Sequence, residues 1–447
     1  MSEVDANGVR AAASSWLENQ AREIFDCLSA WVACNSATPH ELALQRDLAE
    51  PFMREQLGLD EVARVNVCVE AERPFVTGVW RGSGGGRNLL LNGHIDTIGA
   101  PGTMRDRWDT DPWQPVVKDD RLYGRGSSDM KGGVVAMLWA VRALKACGFQ
   151  PRGHVLLETV PGEETMRPDI GSVAATKWLQ EQGYDIPLAI VTEPSHLEIH
   201  MRGIGQMDFE IEVTGKEIHT SMRNLTLYPQ RFGIPQGSAV GVDAIRKVTR
   251  ILLLLEELER QWVMRWRHPL HGGGGFPRQE DRQGVGAFSI VTTFVDGGTY
   301  DGSVPGWARL RGLINYPSWV NSEAVKVEFE DALRHHAQLD DWLREHPPAV
   351  KVGSVYNWPS FAGEHTAEGP AALGQAYEQV LGQPAIFTGA KFVGDAAFLQ
   401  RDCGVPALYF GPGDCSMGVH GPNEYVPLAQ VLECAQVLAA MIVDWCG

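Results

Sequence analysis

Seven acidic and histidine side chains follow short apolar runs in this sequence, and their chemical types suit metal binding. The seven are His94, Asp96, Asp129, Glu163, Glu164, Glu193 and His420. Imidazole and carboxylate groups are ligands of borderline divalent ions such as zinc. Two ions held side by side can activate water for hydrolysis. The set therefore predicts a hydrolytic metal centre.

Each of these residues also has an ordinary structural explanation. His94 and Asp96 stand two positions apart after an apolar run, so on extended backbone they point the same way, yet His-x-Asp also arises by chance. Asp129 precedes a helical pattern, where aspartate is a common N-cap. Glu163 and Glu164 could form a solvated loop edge, or divide into one metal ligand and one acid/base group. The joint occurrence of the set carries the prediction.

Short apolar strands alternate with helices over the first part of the chain, which predicts a layered α/β domain. Helical spacing covers 9–34, 41–57, Gly132–Cys147 and Ser172–Gln182. Strands are predicted at Val65–Val69, Phe75–Trp80, Leu89–Asn92, His154–Val160 and Ala189–Thr192. Because ligands bind at the carboxyl ends of the strands in such sheets, the strand after which His94 lies should border the site.

A different pattern begins near residue 203 and predicts an inserted α+β domain. It comprises strands at Met207–Val213, Ala287–Val295 and Ala308–Tyr316, with helices at Asp243–Arg260 and Ser322–His335. The α/β pattern resumes with strands Val350–Tyr356 and Ala407–Phe410 and helices Gly369–Leu381 and Leu428–Cys446. We therefore predict a catalytic domain in two parts, residues 1–202 and 346–447, with residues 203–345 inserted between them.

Composition favours a soluble cytoplasmic protein. The net charge of −17 disfavours nucleic acid or an anionic membrane as the main partner. The eight cysteines form no C-x-x-C pair, which is typical of reduced thiols. The N-terminus has no apolar signal region, and we find no apolar run of about 18 residues, so we expect no membrane span.

Five stretches of the sequence together resemble the M20 metallopeptidase family, which includes acetylornithine deacetylases, succinyl-diaminopimelate desuccinylases and glutamate carboxypeptidases. They are Gly-His-Ile-Asp, Gly-Arg-Gly-Ser-Ser-Asp-Met-Lys-Gly-Gly, Gly-Glu-Glu, Thr-Glu-Pro and His-Gly-Pro-Asn-Glu-Tyr. The resemblance implies a mixed-sheet catalytic domain with helices on both faces and a ferredoxin-like inserted domain that serves as lid and dimer interface.

The resemblance also implies two divalent metal ions per chain, with zinc favoured and manganese or cobalt as alternatives. Asp129 would bridge the ions. His94 and Glu193 would hold one ion, and Glu164 and His420 the other. Asp96 would orient His94, and Glu163 would be the general base.

Further positions match the family outside the metal ligands. His219 matches a histidine that stabilises the oxyanion, often in the neighbouring subunit of a homodimer. Gly411 and Gly413 match a late glycine-rich loop that would line the substrate pocket. After His219 the pattern departs from the family, and a different loop there could contact substrate or be a plain surface insertion. Its candidate contacts are Arg223, Asn224, Tyr228 and Arg231.

A second departure concerns an arginine that binds a substrate carboxylate in many family members. Leu313 or Asn315 stands in its place, and alternation along the same strand could turn both Arg309 and Arg311 away from the pocket. The favoured function is hydrolysis of the amide of an N-acyl amino acid or related small molecule. The alternatives are hydrolysis of another C–N bond, in an aromatic or carbamoyl substrate, and a metal-binding paralogue without activity. The His271-Gly-Gly-Gly-Gly run lacks a G-x-S-x-G partner, which disfavours a serine hydrolase.

Overall fold

The computed structural model describes residues 3–227, 235–266, 288–363 and 368–447. The helices are α1 Glu3–Asn19, α2 Ala21–Ala33, α3 Glu41–Leu44, α4 Gly132–Ala146, α5 Ser172–Glu181, α6 Arg223–Leu227, α7 Ala244–Arg265, α8 Ser322–Gln338, α9 Glu368–Leu381, α10 Ala396–Cys403 and α11 Leu428–Cys446. Shorter helical segments at Gln45–Ala49 and Phe52–Gln56 continue from α3.

The strands fall into two main sheets and two small ones. In chain order they are β1 Glu61–Val65, β2 Phe75–Trp80, β3 Leu89–His94, β4 Val116–Lys118, β5 Arg121–Tyr123, β6 Val155–Val160, β7 Ala189–Val191, β8 Ile199–Gly203, β9 Gly205–Thr214, β10 Ile218–His219, β11 Ser289–Gly297, β12 Ser303–Val304, β13 Trp307–Tyr316, β14 Ala349–Trp358, β15 Phe361–Ala362, β16 Phe387–Ala390, β17 Ala407–Tyr409 and β18 Tyr425–Pro427.

The larger sheet is mixed and has nine strands, in the order β1-β2-β6-β3-β7-β17-β8-β15, with β16 beside β8. Its centre is parallel, because β3 runs parallel to both β6 and β7, and β17 runs parallel to β7. Strands β2, β3 and β6 are buried along their whole length, as expected for strands covered on both faces. Helices α1, α4, α9 and α11 pack together in one group, and α5 and α10 in another. The predicted mixed α/β fold is confirmed.

The smaller sheet is antiparallel, in the order β11-β13-β9-β14. Strict alternation along β9 buries Met207, Phe209, Ile211 and Val213, while Glu212 on the other face is exposed. The buried face packs with α7 and α8 into a hydrophobic core of its own. The predicted α+β unit is therefore present, with a core separate from that of the larger sheet.

Two strands differ from the sequence predictions. Strand β14 pairs with β9, so the strand predicted at Val350–Tyr356 extends the smaller sheet and does not resume the larger one. Strand β1 ends at Val65, where the predicted strand began, because the residues that pair with β2 are Glu61–Val65.

The domain boundaries themselves stay a prediction. Tyr228, Arg231 and the His271 glycine run lie outside the described residues.

Helix α11 is the one helix of the described residues that is long and apolar enough to bear on the expectation of no membrane span. Its 19 residues have a mean hydropathy of 1.4, which is long and apolar enough to cross a membrane. Within the fold, however, 72% of that stretch is buried, and the helix contacts α4, α9 and α1. Its apolar surface is thus used by the core of the larger domain.

Candidate metal centre

The site lies at the carboxyl ends of three neighbouring parallel strands. His94 ends β3, Glu163 and Glu164 follow β6, and Glu193 follows β7. Since β3 lies between β6 and β7, with His94 opposite Val160, the three strand ends are brought together by the sheet itself. This is the edge at which open α/β sheets bind ligands, as the sequence analysis expects.

Asp129 reaches the same edge from the turn that precedes α4. Gly126 in this turn has φ +82°, a left-handed conformation that glycine adopts readily. The backbone N–H groups of Gly126, Ser128 and Asp129 all donate to the carboxylate of Glu424, at 3.0–3.1 Å. Arg125 donates to the same carboxylate at 2.6 Å. Glu424 therefore holds the turn that presents Asp129.

The first potential ligand group is formed by His94, Asp129 and Glu193. Nε2 of His94 lies 3.0 Å from Oδ1 of Asp129 and 3.9 Å from Oε1 of Glu193. The other ring nitrogen, Nδ1, lies 3.0 Å from the backbone oxygen of Asp96 and 3.6 Å from its Oδ1. Asp96 thus contacts the ring, and its backbone carbonyl makes the closer approach.

The second group is formed by Asp129, Glu164 and His420. Nε2 of His420 lies 2.9 Å from Oε2 of Glu164 and 3.5 Å from Oδ2 of Asp129. In each group the potential ligand atoms lie within 4.8 Å of one another. Asp129 belongs to both groups and offers a different oxygen to each histidine, which is the geometry of a carboxylate that could bridge two ions.

Glu163 lies beside the first group and is buried. Its Oε2 is 3.9 Å from Nε2 of His94, and its side chain lines the cavity above the site. It thus lies next to the first group without belonging to either group.

The electrostatics of the cluster fit a pair of cations. Burial raises the pKa of Glu163 and that of Glu193 well above the usual range, although His94 opposes both shifts. Burial and the charge of Asp129 raise the pKa of Glu164 as well. Oε1 of Glu193 is buried without a hydrogen-bond partner. The carboxylates here outnumber their positive partners, and two divalent ions would supply the missing charge.

The structure does not bring the remaining predicted residues to this cluster within one chain. His219 is exposed on β10, where its Nδ1 contacts the Ser221 hydroxyl. Arg223 lies 3.3 Å from Asp243 in a separate pocket of the inserted domain, and Asn224 is exposed. These placements leave their predicted roles as predictions.

The two loop glycines pack closely against neighbouring residues and are not among the residues that line the cavity. A side chain at Gly411 would come within 2.4 Å of the Thr192 carbonyl oxygen, and one at Gly413 within 2.1 Å of the Ser128 hydroxyl. The loop passes so close to these neighbours that both positions require glycine, which has no side chain. The expectation that this loop lines the substrate pocket stays a prediction.

A cavity of about 460 Å³ opens onto the cluster. Its lining includes the acidic residues and His420. Of the other lining side chains, only Leu313 was considered from the sequence as a possible contact of the substrate. These other side chains include Gln206, Leu313, Tyr356, Trp358, Lys391 and Phe392. Arg309 and Arg311 are not among them, although they lie on the same face of β13 as Leu313; both pair with Asp296 on β11. No local motif could have identified Tyr356 or Trp358, since they reach the cavity through the pairing of β14.

Glu424 and Arg125 form a buried ion pair that the sequence did not predict. Both residues nevertheless lie inside stretches that resemble the M20 family. Their side chains are fully buried, so removing one partner leaves the other charge uncompensated. We expect Glu424→Ala to lower the free energy of unfolding by about 3–5 kcal/mol in urea titrations of the metal-free protein. The matched control is Glu368→Ala, whose pair with Arg87 is exposed and should cost less than about 1 kcal/mol. Equal losses in the two variants would contradict the assignment.

Comparison with known proteins agrees with this geometry. The family model described as peptidase family M20/M25/M40 matches residues 90–444. An N-formyl-4-amino-5-aminomethyl-2-methylpyrimidine deformylase from Halalkalibacterium halodurans is 30% identical over 370 residues, covering 80% of this chain and 79% of the relative. A succinyl-diaminopimelate desuccinylase from Gluconacetobacter diazotrophicus is 28% identical over 369 residues, covering 80% and 81%.

The fold of this chain is also similar to that of an M20 family protein of known structure. The solved structure of an M20 family metallo-carboxypeptidase, Sso-CP2 from Sulfolobus solfataricus, superposes with a TM-score of 0.68 at 14% identity, covering 95% of this chain and 99% of that one. The family match runs from β3 to α11 and includes every residue of both ligand groups. The chain belongs to peptidase family M20/M25/M40, a family of hydrolytic enzymes.

Proposed function

We propose that this enzyme is a dinuclear metal-dependent amidohydrolase that removes the acyl group from an N-acyl amine or amino acid. The observation that carries the proposal is the position of Asp129, which offers one oxygen to each of two histidine-carboxylate groups. The names of the two relatives, a deformylase and a desuccinylase, both describe removal of an acyl group. Zinc is the favoured ion, because imidazole and carboxylate ligands suit it, as they also suit manganese or cobalt.

The proposed roles of the residues follow from their places in the cluster. His94, Asp129 and Glu193 would hold one ion, and Asp129, Glu164 and His420 the other. When bound, such a pair lowers the pKa of water and polarises a carbonyl group. Asp96 holds the ring of His94 through Nδ1. Glu163 accepts the proton of the attacking water and delivers it to the nitrogen as the C–N bond breaks.

A homodimer through the inserted domain is part of the proposal. Strand β11 lies at an edge of the smaller sheet, and Val291, Phe294 and Val295 on it are 45%, 55% and 59% exposed. Exposed apolar residues on an edge strand favour pairing with another copy. The exposed His219 lies in the same domain and would serve the partner's site as an oxyanion donor. A monomer in light scattering at assay concentration would contradict this arrangement.

The proposed cellular location is the cytoplasm. All eight cysteines are free, which suits a reducing compartment. Cleavage of a carbamoyl substrate remains the alternative reaction.

The reaction is tested by comparing chelator-treated protein with protein reconstituted with zinc, manganese or cobalt. The panel contains N-formyl, N-acetyl and N-succinyl amines and amino acids together with N-carbamoyl amino acids. We expect amine release from N-acyl compounds by reconstituted protein and none after chelation. Turnover of carbamoyl compounds alone would favour the alternative, and equal turnover after chelation would overturn the metal mechanism. A metal-loaded protein that hydrolyses no member of the panel would support the inactive paralogue.

A further inference from the structure

The cavity above the metal cluster has an apolar and largely aromatic wall. Tyr356, Trp358 and Phe392 supply three rings, and Leu313, Val393 and Val419 supply aliphatic surface. Lys391 is the one lysine or arginine in the described lining. The acidic residues of the lining are those that would bind the ions or act as the base. What remains to contact the rest of a substrate is therefore mainly hydrocarbon and ring surface.

Tyr356 reaches this cavity because β14 is interrupted. The register between β14 and β9 breaks between Val352 and Asn357, where Gly353 has φ +60°. Such a bulge redirects side chains relative to a regular strand. Within it, Val355 turns outward and is 85% exposed, whereas Tyr356 lines the cavity.

Asp208 on β9 anchors the bulge. Its Oδ1 accepts the backbone N–H groups of Val355 and Tyr356 at 3.1 and 2.8 Å, and its Oδ2 accepts the Ser354 hydroxyl at 3.3 Å. Three contacts from one carboxylate fix the backbone on which Tyr356 stands. Its ring position is therefore built into the fold.

The other rings of the wall are also held in place. The indole N–H of Trp358 donates to the Gly394 carbonyl at 3.1 Å, and its ring lies 4.9 Å from that of Phe398 and 6.0 Å from that of Tyr356. The ring of Phe392 packs 5.1 Å from that of Tyr409. Gly394 also abuts Glu193, since a side chain there would come within 3.2 Å of Oε1. The wall is thus held by packing and a hydrogen bond, and it is directly adjacent to the ligand cluster.

Tyr356 lines the same cavity as Glu163 and Glu164. Burial, then the charges of Glu163 and Glu164, raise the pKa of Tyr356, so the phenol stays protonated at neutral pH. The structure gives this hydroxyl no hydrogen bond to any residue that it describes. It can therefore donate to a polar atom of a bound molecule.

We propose that Tyr356, with Trp358 and Phe392, selects a substrate whose amine portion carries an aromatic ring and no carboxylate. The inference rests on the proposed hydrolysis of an N-acyl amine and adds the class of amine. Ring faces stack favourably on such a wall. A carboxylate on the amine portion would find a single cationic side chain, Lys391, in a lining made mostly of rings and aliphatic side chains, which leaves an anion poorly solvated over most of the wall.

The substrate test uses three formamides that differ in one feature each. N-formylbenzylamine has the ring alone, N-formyl-cyclohexylmethylamine replaces it with a saturated ring, and N-formylphenylalanine adds a carboxylate. We expect kcat/KM of the zinc-reconstituted enzyme to be at least about tenfold higher for the first compound than for either other. Tyr356→Leu should lower this preference for N-formylbenzylamine by about tenfold, mainly by raising the KM for that compound. Val355→Ala, the matched change on the same bulge, should leave it unchanged.

A binding measurement separates this inference from the proposed reaction. Calorimetry on the metal-free protein should find benzylamine bound more tightly than cyclohexylmethylamine in the wild type and in Val355→Ala, but not in Tyr356→Leu. Failure to hydrolyse the formamides or any other member of the N-acyl panel, with this binding pattern intact, would reject the reaction and keep the aromatic site. Hydrolysis with a preference for N-formylphenylalanine or the cyclohexyl compound, or with no response to Tyr356→Leu, would overturn the aromatic site and keep the reaction.

Discussion

Glu163→Gln should retain bound metal and lose turnover by about 10²–10⁴-fold, the usual contribution of a positioned acid/base group. The amide cannot accept a proton from water, yet it has nearly the shape of the carboxylate. Glu163 belongs to neither ligand group, so metal content should change little. The measurement is kcat on an N-acyl substrate from the panel, together with metal content by mass spectrometry.

Glu158→Gln provides the matched control for this change. Glu158 lies on β6, a few residues before Glu163, where it accepts hydrogen bonds from Asn92 and Thr176 and is fully buried. Burial raises the pKa of Glu158 to about 8, so its carboxyl group is mostly protonated at neutral pH and an amide resembles it closely. This variant should keep its activity. Retained activity in Glu163→Gln as well would reject the general-base assignment.

Asp129→Asn should impair both halves of the centre at once. Asp129 is the residue shared by the two ligand groups, so the change weakens both candidate ion sites and leaves the histidines without their common acidic neighbour. When bound, the two metal ions would supply several kcal/mol of transition-state stabilisation. Loss of about 4 kcal/mol corresponds to roughly 10³-fold in rate, and we expect kcat/KM to fall by at least that factor while metal content falls below two per chain.

Asp169→Asn is the corresponding surface control. Asp169 lies near the glutamate pair in sequence, but its side chain is 61% exposed and pairs with Arg167. We expect no change in metal content and little change in rate. If Asp129→Asn bound two ions as firmly as this control, bridging by Asp129 would be wrong.

The elements of the larger domain and the ligand cluster could be predicted because their signals are local. Fully apolar runs such as Leu89–Asn92 identify buried parallel strands, and the polar residues that follow them must meet at one edge of the sheet. His94, Glu163 and Glu193 are close in space for this reason alone. Asp129 needed the family resemblance, since an aspartate before a helix is usually a cap.

The features that the sequence did not reveal depend on long-range pairing. β14 follows the inserted helices in sequence, and only its register with β9 places it in the smaller sheet. Tyr356 reaches the cavity through a bulge anchored by Asp208, which is 148 residues away. Glu424 and Arg125 meet across 299 residues. None of these contacts has a periodicity or a spacing that could be recognised in advance.

The most direct test of the dinuclear centre is the metal content of the purified chain after chelation, reconstitution with zinc and removal of excess ion. The arrangement of His94, Asp129, Glu164, Glu193 and His420 predicts two ions per chain, with hydrolysis rising as they are restored. A content that saturates at one ion per chain with full activity would contradict the account.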